Sequence, residues 1–347
     1  MLTLSIRRFA PAIALVSSLI FPLGQAHAAE VVTVYSADGL KDGTPNWFDT
    51  VFDAFTKETG IKVQYVEAGS GVVVNRIMAE RANPQADVLV TLPPFMQKAA
   101  ADGLLQPVRL QAASAIPANT RSADDLWYPL VNNYACWIYN ANALKQAPAS
   151  YETLLDPQLK NRIQYSTPGQ AGDGTAVMLQ TFKMYGSKDA GFDYLKKLQA
   201  NNLGPSSSTG RLAGLVNKGE LLVANGDVQM NFAQMRQDPN IRIFFPKGPD
   251  GKRYTMALPY DIGLVKGAPH GDAGRKLVAF LLSKQAQGTV YSLAGGFPAR
   301  VDIPESNSTA EQLKKIMAGV EIWTPDWNQA TKDLDSDVGR WHQVTGS

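Results

Sequence analysis

Small hydroxyl, amide and glycine residues recur in this chain where an apolar strand-like run gives way to a helix-like one: Ser36, Ser70-Gly71, Thr91, Ser166-Thr167, Gly174-Thr175, Ser208-Thr209 and Asn225. A helix begins with amide N–H groups that have no partner inside it, and it carries a partial positive charge there. Glycine lets a ligand come close to that backbone and a hydroxyl adds a donor, so such a junction can cradle an anion. Each of these residues is also an ordinary N-cap, worth about 1 kcal/mol to its own helix. One junction alone therefore means little, but several of them, supplied by both halves of the chain, point to a shared anion site. None has the spacing of a Walker or dinucleotide loop, so a nucleotide phosphate is not the expected anion.

A cationic group on the same ligand would need carboxylates or aromatic faces nearby. Glu67, Asp173, Asp227 and Asp261 stand beside the candidate loops, as do Tyr35 and Tyr260. Asp173 and Asp227 are preferred because each lies in a glycine-flanked loop, whereas Asp261 sits in an extended run. Trp47 and Phe95 belong with the core. Catalytic chemistry has little to draw on. Past residue 28 the only histidines are His270 and His342, and Cys136 is a lone cysteine in an apolar stretch, expected to be buried and inert. A Ser-His-Asp triad, a histidine-rich metal site and an intramolecular disulfide are disfavoured, and neither a cofactor nor a metal is expected. A secreted hydrolase acting on such an anion is the alternative, but it would need an activated nucleophile or a metal cage.

The elements that must position these residues start behind a leader. Met1 to Arg8 carry two positive charges, Phe9 to Leu23 are apolar, and Ala26-His27-Ala28 has the small-x-small form of a signal-peptidase site. Cleavage before Ala29 and work outside the cytoplasm are expected. Lys and Arg number 33 against 31 Asp and Glu, and loss of Arg7 and Arg8 with the leader brings the balance to zero. Neutrality argues against a nucleic-acid partner, and a monomer is expected. The length suits two domains. Val31–Tyr35, Ile61–Val66 and Ala86–Thr91 read as strands, each followed by a helix, so the first lobe should be α/β with a largely parallel sheet. The helix stripe Trp47, Phe48, Val51, Phe52 and Phe55 ends at Gly60, a C-cap. Ile163–Ser166 and Leu221–Ala224 are the corresponding strands of a second lobe, with helices expected over 176–185, 211–218 and 228–236. Extended segments over 128–140 and 257–265 imply that the chain leaves the first lobe, builds the second and returns. Residues 1–28 are thus read as leader, 29–133 with 262–347 as lobe 1, and 134–261 as lobe 2 with the hinge strands, around a cleft.

Several segments resemble one family. Val-Tyr-Ser at 34–36, Phe-Thr-Lys-Glu-Thr-Gly-Ile-Lys-Val at 55–63 and Asn-Pro-Gln-Ala-Asp-Val-Leu-Val at 83–90 are similar to solute-binding proteins of bacterial ABC importers. Gln-Tyr-Ser-Thr-Pro-Gly-Gln-Ala at 164–171, Asp-Gly-Thr-Ala-Val-Met-Leu-Gln at 173–180 and Val-Asn-Lys-Gly-Glu at 216–220 resemble its 2-aminoethylphosphonate branch in particular. The resemblance implies a type II periplasmic binding-protein fold, a small zwitterionic phosphonate as ligand, and an ABC permease in the inner membrane as partner. It also implies an anion at the loop around Gly174-Thr175, at Ser208-Thr209 and at Asn225. Ferric-binding relatives carry adjacent tyrosines after the strand matching Leu221–Ala224. Asn225-Gly226-Asp227 stands there instead, which disfavours iron. Another phosphonate, phosphate or a polyamine remain alternative cargoes.

Overall fold

The computed structural model describes residues 30–305 and 307–347, so the expected leader and its cleavage point lie outside the described residues. Strands β1 (Val31–Ala37), β2 (Lys62–Ala68), β3 (Val88–Thr91), β4 (Leu105–Gln106) and β5 (Trp127–Asn132) come first, with helices α1 (Trp47–Thr59), α2 (Ser70–Ala79) and α3 (Phe95–Ala101) between them. Then follow β6 (Ala135–Asn140), β7 (Ile163–Gln164), α4 (Gly172–Tyr185), α5 (Lys188–Gln199), α6 (Gly210–Lys218), β8 (Val223–Asp227), α7 (Val228–Met235) and β9 (Ile241–Phe244). The chain closes with β10 (Tyr254–Met256), β11 (Tyr260–Val265), α8 (Gly271–Leu281), α9 (Lys284–Gln287), β12 (Phe297–Pro298), α10 (Ser308–Ile316), β13 (Glu321–Trp323) and α11 (Trp327–Thr345).

Local chemistry accounts for the best-defined helix. Asn46 caps α1 by accepting from the Asp49 amide at 2.8 Å, the five aromatic and valine residues of the stripe are buried, and Gly60 ends the helix at φ 74°. The glycine is needed there because L side chains pay for that left-handed conformation.

Two sheets form the two lobes. The first runs β12-β5-β11-β3-β1-β2, with β4 also on β11; the second runs β7-β8-β6-β9. The largely parallel expectation needs correcting at the level of pairing. β1 pairs in parallel with β2 and β3, but β11 is antiparallel to β3, β4 and β5, and β6 is antiparallel to β8 and β9. The cause is the double crossing. β6 is the strand on which the chain enters the second lobe and β11 the one on which it returns, and each inserts among strands running the other way. The extended run over 128–140 is accordingly two strands in different sheets, broken at Asn133-Tyr134.

The helix expected from residue 176 starts four residues earlier, at Gly172, so part of the glycine-rich loop is its first turn. The C-terminal tail, expected in lobe 1, spans both cores. Trp341 is buried with Tyr165 and Leu195 of the second lobe, and Leu334 with Phe95 and Met96 of the first. Lys188 of α5 holds Asp333 and Asp337 at 2.9 and 2.7 Å, while Lys98 of α3 reaches Asp335 at 3.4 Å. Helix α11 is therefore a strap across the two lobes. Among the described residues no helix is long and apolar enough to cross a membrane.

Candidate functional site

The starts of α2, α4 and α6 meet at the seam between the lobes, together with the turn after β1 and the ends of β3 and β8. The lobes are in direct contact there. The Gly71 amide donates to the Gln170 carbonyl at 2.9 Å, and Gln229 of α7 donates to the Gly39 carbonyl at 3.2 Å. A Cβ at Gly69 would stand 2.0 Å from the Ser207 carbonyl oxygen, and one at Gly71 would stand 2.1 Å from that of Gly169. Only glycine allows the two lobes to approach so closely.

Most of the expected residues are brought together. Ser70, Thr91, Ser166, Thr167, Asp173, Thr175, Thr209, Asn225, Asp227 and Tyr260 are all buried. Ser166 is held by Asn225, whose Oδ1 accepts from the Ser166 amide at 2.8 Å, while its hydroxyl lies 2.9 Å from that of Thr209. The Thr167 hydroxyl accepts from the Ser206 amide at 3.0 Å, pinning the loop ahead of α6. Gly174 lets α4 sit against the Ser166-Thr167 segment that follows β7, since a Cβ there would be 2.0 Å from the Ser166 carbonyl oxygen. Among the described residues the Ser70 hydroxyl has no hydrogen-bond partner, and it lies 2.7 Å from where a side chain on Gly172 would begin. It thus faces the first turn of α4 from across the seam.

Other residues serve the scaffold. Tyr35 points away from the seam, packs among Val73, Leu89 and Phe95, and donates to Glu80 at 3.2 Å, because alternation along β1 turns it to the face opposite that of Val34. The Thr175 hydroxyl is engaged within its own helix start, donating to the Ala171 carbonyl at 2.9 Å and accepting from the Gly169 amide at 3.0 Å. Ser36 donates to the Ala37 carbonyl at 2.7 Å. Asp261 also faces away from the seam, toward Gln97 of α3.

One central residue was missed from sequence. Asp38, in the turn after β1, crosses the seam and caps α6: its Oδ2 accepts from the Ser208 hydroxyl at 2.6 Å, the Thr209 amide at 2.9 Å and the Gly210 amide at 2.6 Å. The anion cradle expected at Ser208-Thr209 is thus filled by a carboxylate of the protein itself. The signal that could have found it is an Asp-Gly pair directly after the first strand, where crevice residues of an α/β sheet gather.

The seam is strongly acidic. Asp42, Asp173 and Asp227 have carboxyls pushed up, by burial first, and so does Glu67, which lies at the exposed rim. Asp38 raises each of them further, and Asp227 adds to the effect at Asp42 and Asp173. For Asp227 the value reaches about 6. It caps α7 through the Met230 amide at 2.7 Å and faces the Tyr260 hydroxyl at 3.1 Å. Asp173 is less committed, since its Oδ1 is buried without a partner. Lys41, the base beside Glu67, is engaged with Asp49 at 2.7 Å. Chemically, the seam sets helix N-termini and hydroxyls next to carboxyls that burial and mutual repulsion leave short of positive charge. A small molecule with an anionic end and a cationic end would satisfy both.

Comparison with known proteins agrees with this architecture. The family described as "Bacterial extracellular solute-binding protein" matches residues 41–288. A protein of Salmonella typhimurium called "Putative 2-aminoethylphosphonate-binding periplasmic protein" is 55% identical over 335 residues, covering 96% of this chain and 98% of that one. "Iron uptake protein A1" of Synechocystis is 30% identical over 310 residues, covering 84% and 83%. Among solved structures, the periplasmic binding protein AfuA from Actinobacillus pleuropneumoniae superposes with a TM-score of 0.76 at 21% identity, covering 91% of this chain and 99% of that one. The apo ferric ion-binding protein A of Pasteurella haemolytica gives 0.71 at 21% identity, covering 91% and 99%. These likenesses establish the type II periplasmic binding-protein fold. The chain belongs to the bacterial extracellular solute-binding protein family.

Proposed function

We propose that this protein is the solute-binding component of an ABC importer, exported to the periplasm by a cleaved leader, where it captures 2-aminoethylphosphonate as a monomer and delivers it to an inner-membrane permease. It binds its ligand and does not transform it. The observation that carries the reading is the pairing at the seam of helix N-termini with a buried acidic group whose carboxyls lack counter-charge. It is supported by the 55% identity to the Salmonella protein along nearly the whole chain.

In this reading the lobes part to admit the phosphonate at the starts of α2 and α4, where the Ser70 hydroxyl is free to donate. The ammonium, two carbons away, goes to the acids, with Asp173 the preferred partner because it has an oxygen to spare. Charge-assisted hydrogen bonds in a site closed to water give the affinity. Ligand contacts from both lobes favour the shut state over the open one.

Isothermal titration of the purified protein with 2-aminoethylphosphonate tests this. Saturable one-to-one binding is expected, with ethylphosphonate, which lacks the amine, weaker by a few kcal/mol. Equal binding of the two would remove the amine contact, and no heat or thermal shift at millimolar ligand would remove the proposal. Ferric ion, phosphate and putrescine in the same thermal-shift panel separate the competing cargoes.

A further inference from the structure

A second cavity, of 430 Å³, lies beside the hinge and takes no part in the seam. Its wall includes both crossings, through Asn132 and Tyr134 on one and Pro259 on the other, and Trp327 at the start of the strap helix also lines it. The volume is within the range of small-molecule pockets. Alternation along β11 keeps the two sites apart: the Tyr260 hydroxyl reaches into the seam, 2.8 Å from the Asp38 carbonyl, while Asp261 turns to the opposite face.

Asp261 is wholly buried, yet it is poorly served. Among the described residues its Oδ1 has no hydrogen-bond partner, and its Oδ2 has only the Gln97 amide, at 3.4 Å. The Gln97 carbonyl oxygen, in the same wall, is also buried without a partner. Among the described residues no lysine, arginine or histidine lines the cavity, and two tryptophans and a tyrosine do: Trp127, Trp327 and Tyr134. A buried carboxylate without a partner is costly, and burial accordingly pushes the Asp261 carboxyl well above the usual range. A cation would remove that cost, and aromatic side chains are the surfaces on which organic cations settle. Two unpartnered acceptor oxygens and no basic side chain also make the cavity hostile to an anion.

We propose that this hinge cavity is a second binding site, for a small organic ammonium ion held by Asp261 and Gln97 against the aromatic wall. It is independent of the seam reading, since the proposed ligands Asp261 and Gln97 take no part in that site, although Asn133 in the wall also hydrogen-bonds the Asp227 carboxyl.

The test is isothermal titration of the full chain with choline chloride and with ethanolamine hydrochloride, against sodium chloride at equal ionic strength. Saturable binding of at least one ammonium is expected. Asp261→Asn should weaken it at least tenfold while leaving 2-aminoethylphosphonate binding as in the wild type. Asp173→Asn, at the seam, should leave the ammonium titration unchanged. Trp327→Leu, in the partly exposed wall, should also weaken ammonium binding, and it carries the comparison if Asp261→Asn does not fold. Binding no stronger than sodium, or binding lost in Asp173→Asn and kept in Asp261→Asn, overturns the proposal. Failure of the wild type to bind 2-aminoethylphosphonate would instead count against the seam reading alone.

Discussion

Asp173 and Asp227 look equivalent in sequence, each an aspartate beside glycine before a helix, but their surroundings assign them different work. Asp227 spends one oxygen on the α7 amide and the other on Tyr260, whereas Asp173 keeps an oxygen free. Asp173→Asn should therefore weaken 2-aminoethylphosphonate by about 2–3 kcal/mol, roughly 30- to 150-fold in Kd, with little change for ethylphosphonate. Isothermal titration of both ligands checks it. The acids also set a pH dependence. Their folded carboxyls hold protons more tightly than the unfolded chain's, so the stability they contribute is full below about pH 4 and is lost as pH rises through about 6, the value for Asp227. Denaturant midpoints of the ligand-free protein should fall across that window for this reason. A bound ammonium pulls the same carboxyls back down, so capture near pH 6 should release protons, and affinity should decline below it. Titration in two buffers of different ionisation enthalpy reads the proton release directly. Much of this site was legible from residue types at strand ends. Asp38 escaped because an acid is a poor candidate for an anion cradle until the lobes are seen to close on each other, and Tyr35 was misplaced because neighbours on a strand face opposite ways.

At the scale of elements, the closest approaches are made by glycine, and they separate folding from closure. Gly174 packs α4 onto its own lobe, so Gly174→Ala should lower the melting temperature by driving a methyl into the Ser166 carbonyl. Gly69 and Gly71 meet the other lobe, so alanine there should leave each lobe folded but hold the seam apart. The expected result is a nearly unchanged melting temperature with 2-aminoethylphosphonate binding weakened at least tenfold, measured by calorimetry and titration on the same preparations. Strand and helix identity were well marked in sequence. The stripe of α1 and its Gly60 stop follow from side-chain periodicity and backbone freedom alone. The inserted reversed strands β6 and β11 were not legible, because pairing direction is decided by where a crossing lands and not by the composition of the strand. The strap helix was hidden for a related reason: its amphipathic pattern records that it has buried faces but not which lobes bury them.

For the whole molecule, the lobes are held together from two sides, by α11 outside and by Asp38 across the seam. Each charge-assisted hydrogen bond of the kind Asp38 makes is worth about 1.5–3 kcal/mol. Asp38→Ala should therefore shift the ligand-free protein toward an open form, seen as a larger radius of gyration in small-angle X-ray scattering. Saturating 2-aminoethylphosphonate should return it to the compact value. An unchanged radius in the variant would mean that the strap and the remaining seam contacts, such as Gly71 to Gln170 and Gln229 to Gly39, set the geometry without it.

The Asp38 cap has a thermodynamic corollary. Because the cap forms only where the two lobes meet, its hydrogen bonds add to the free energy of closure, and the affinity for a guest contains them together with the bonds to the guest itself. Retention of cargo can then be tuned by adjusting an internal clasp while every atom that touches the guest stays unchanged.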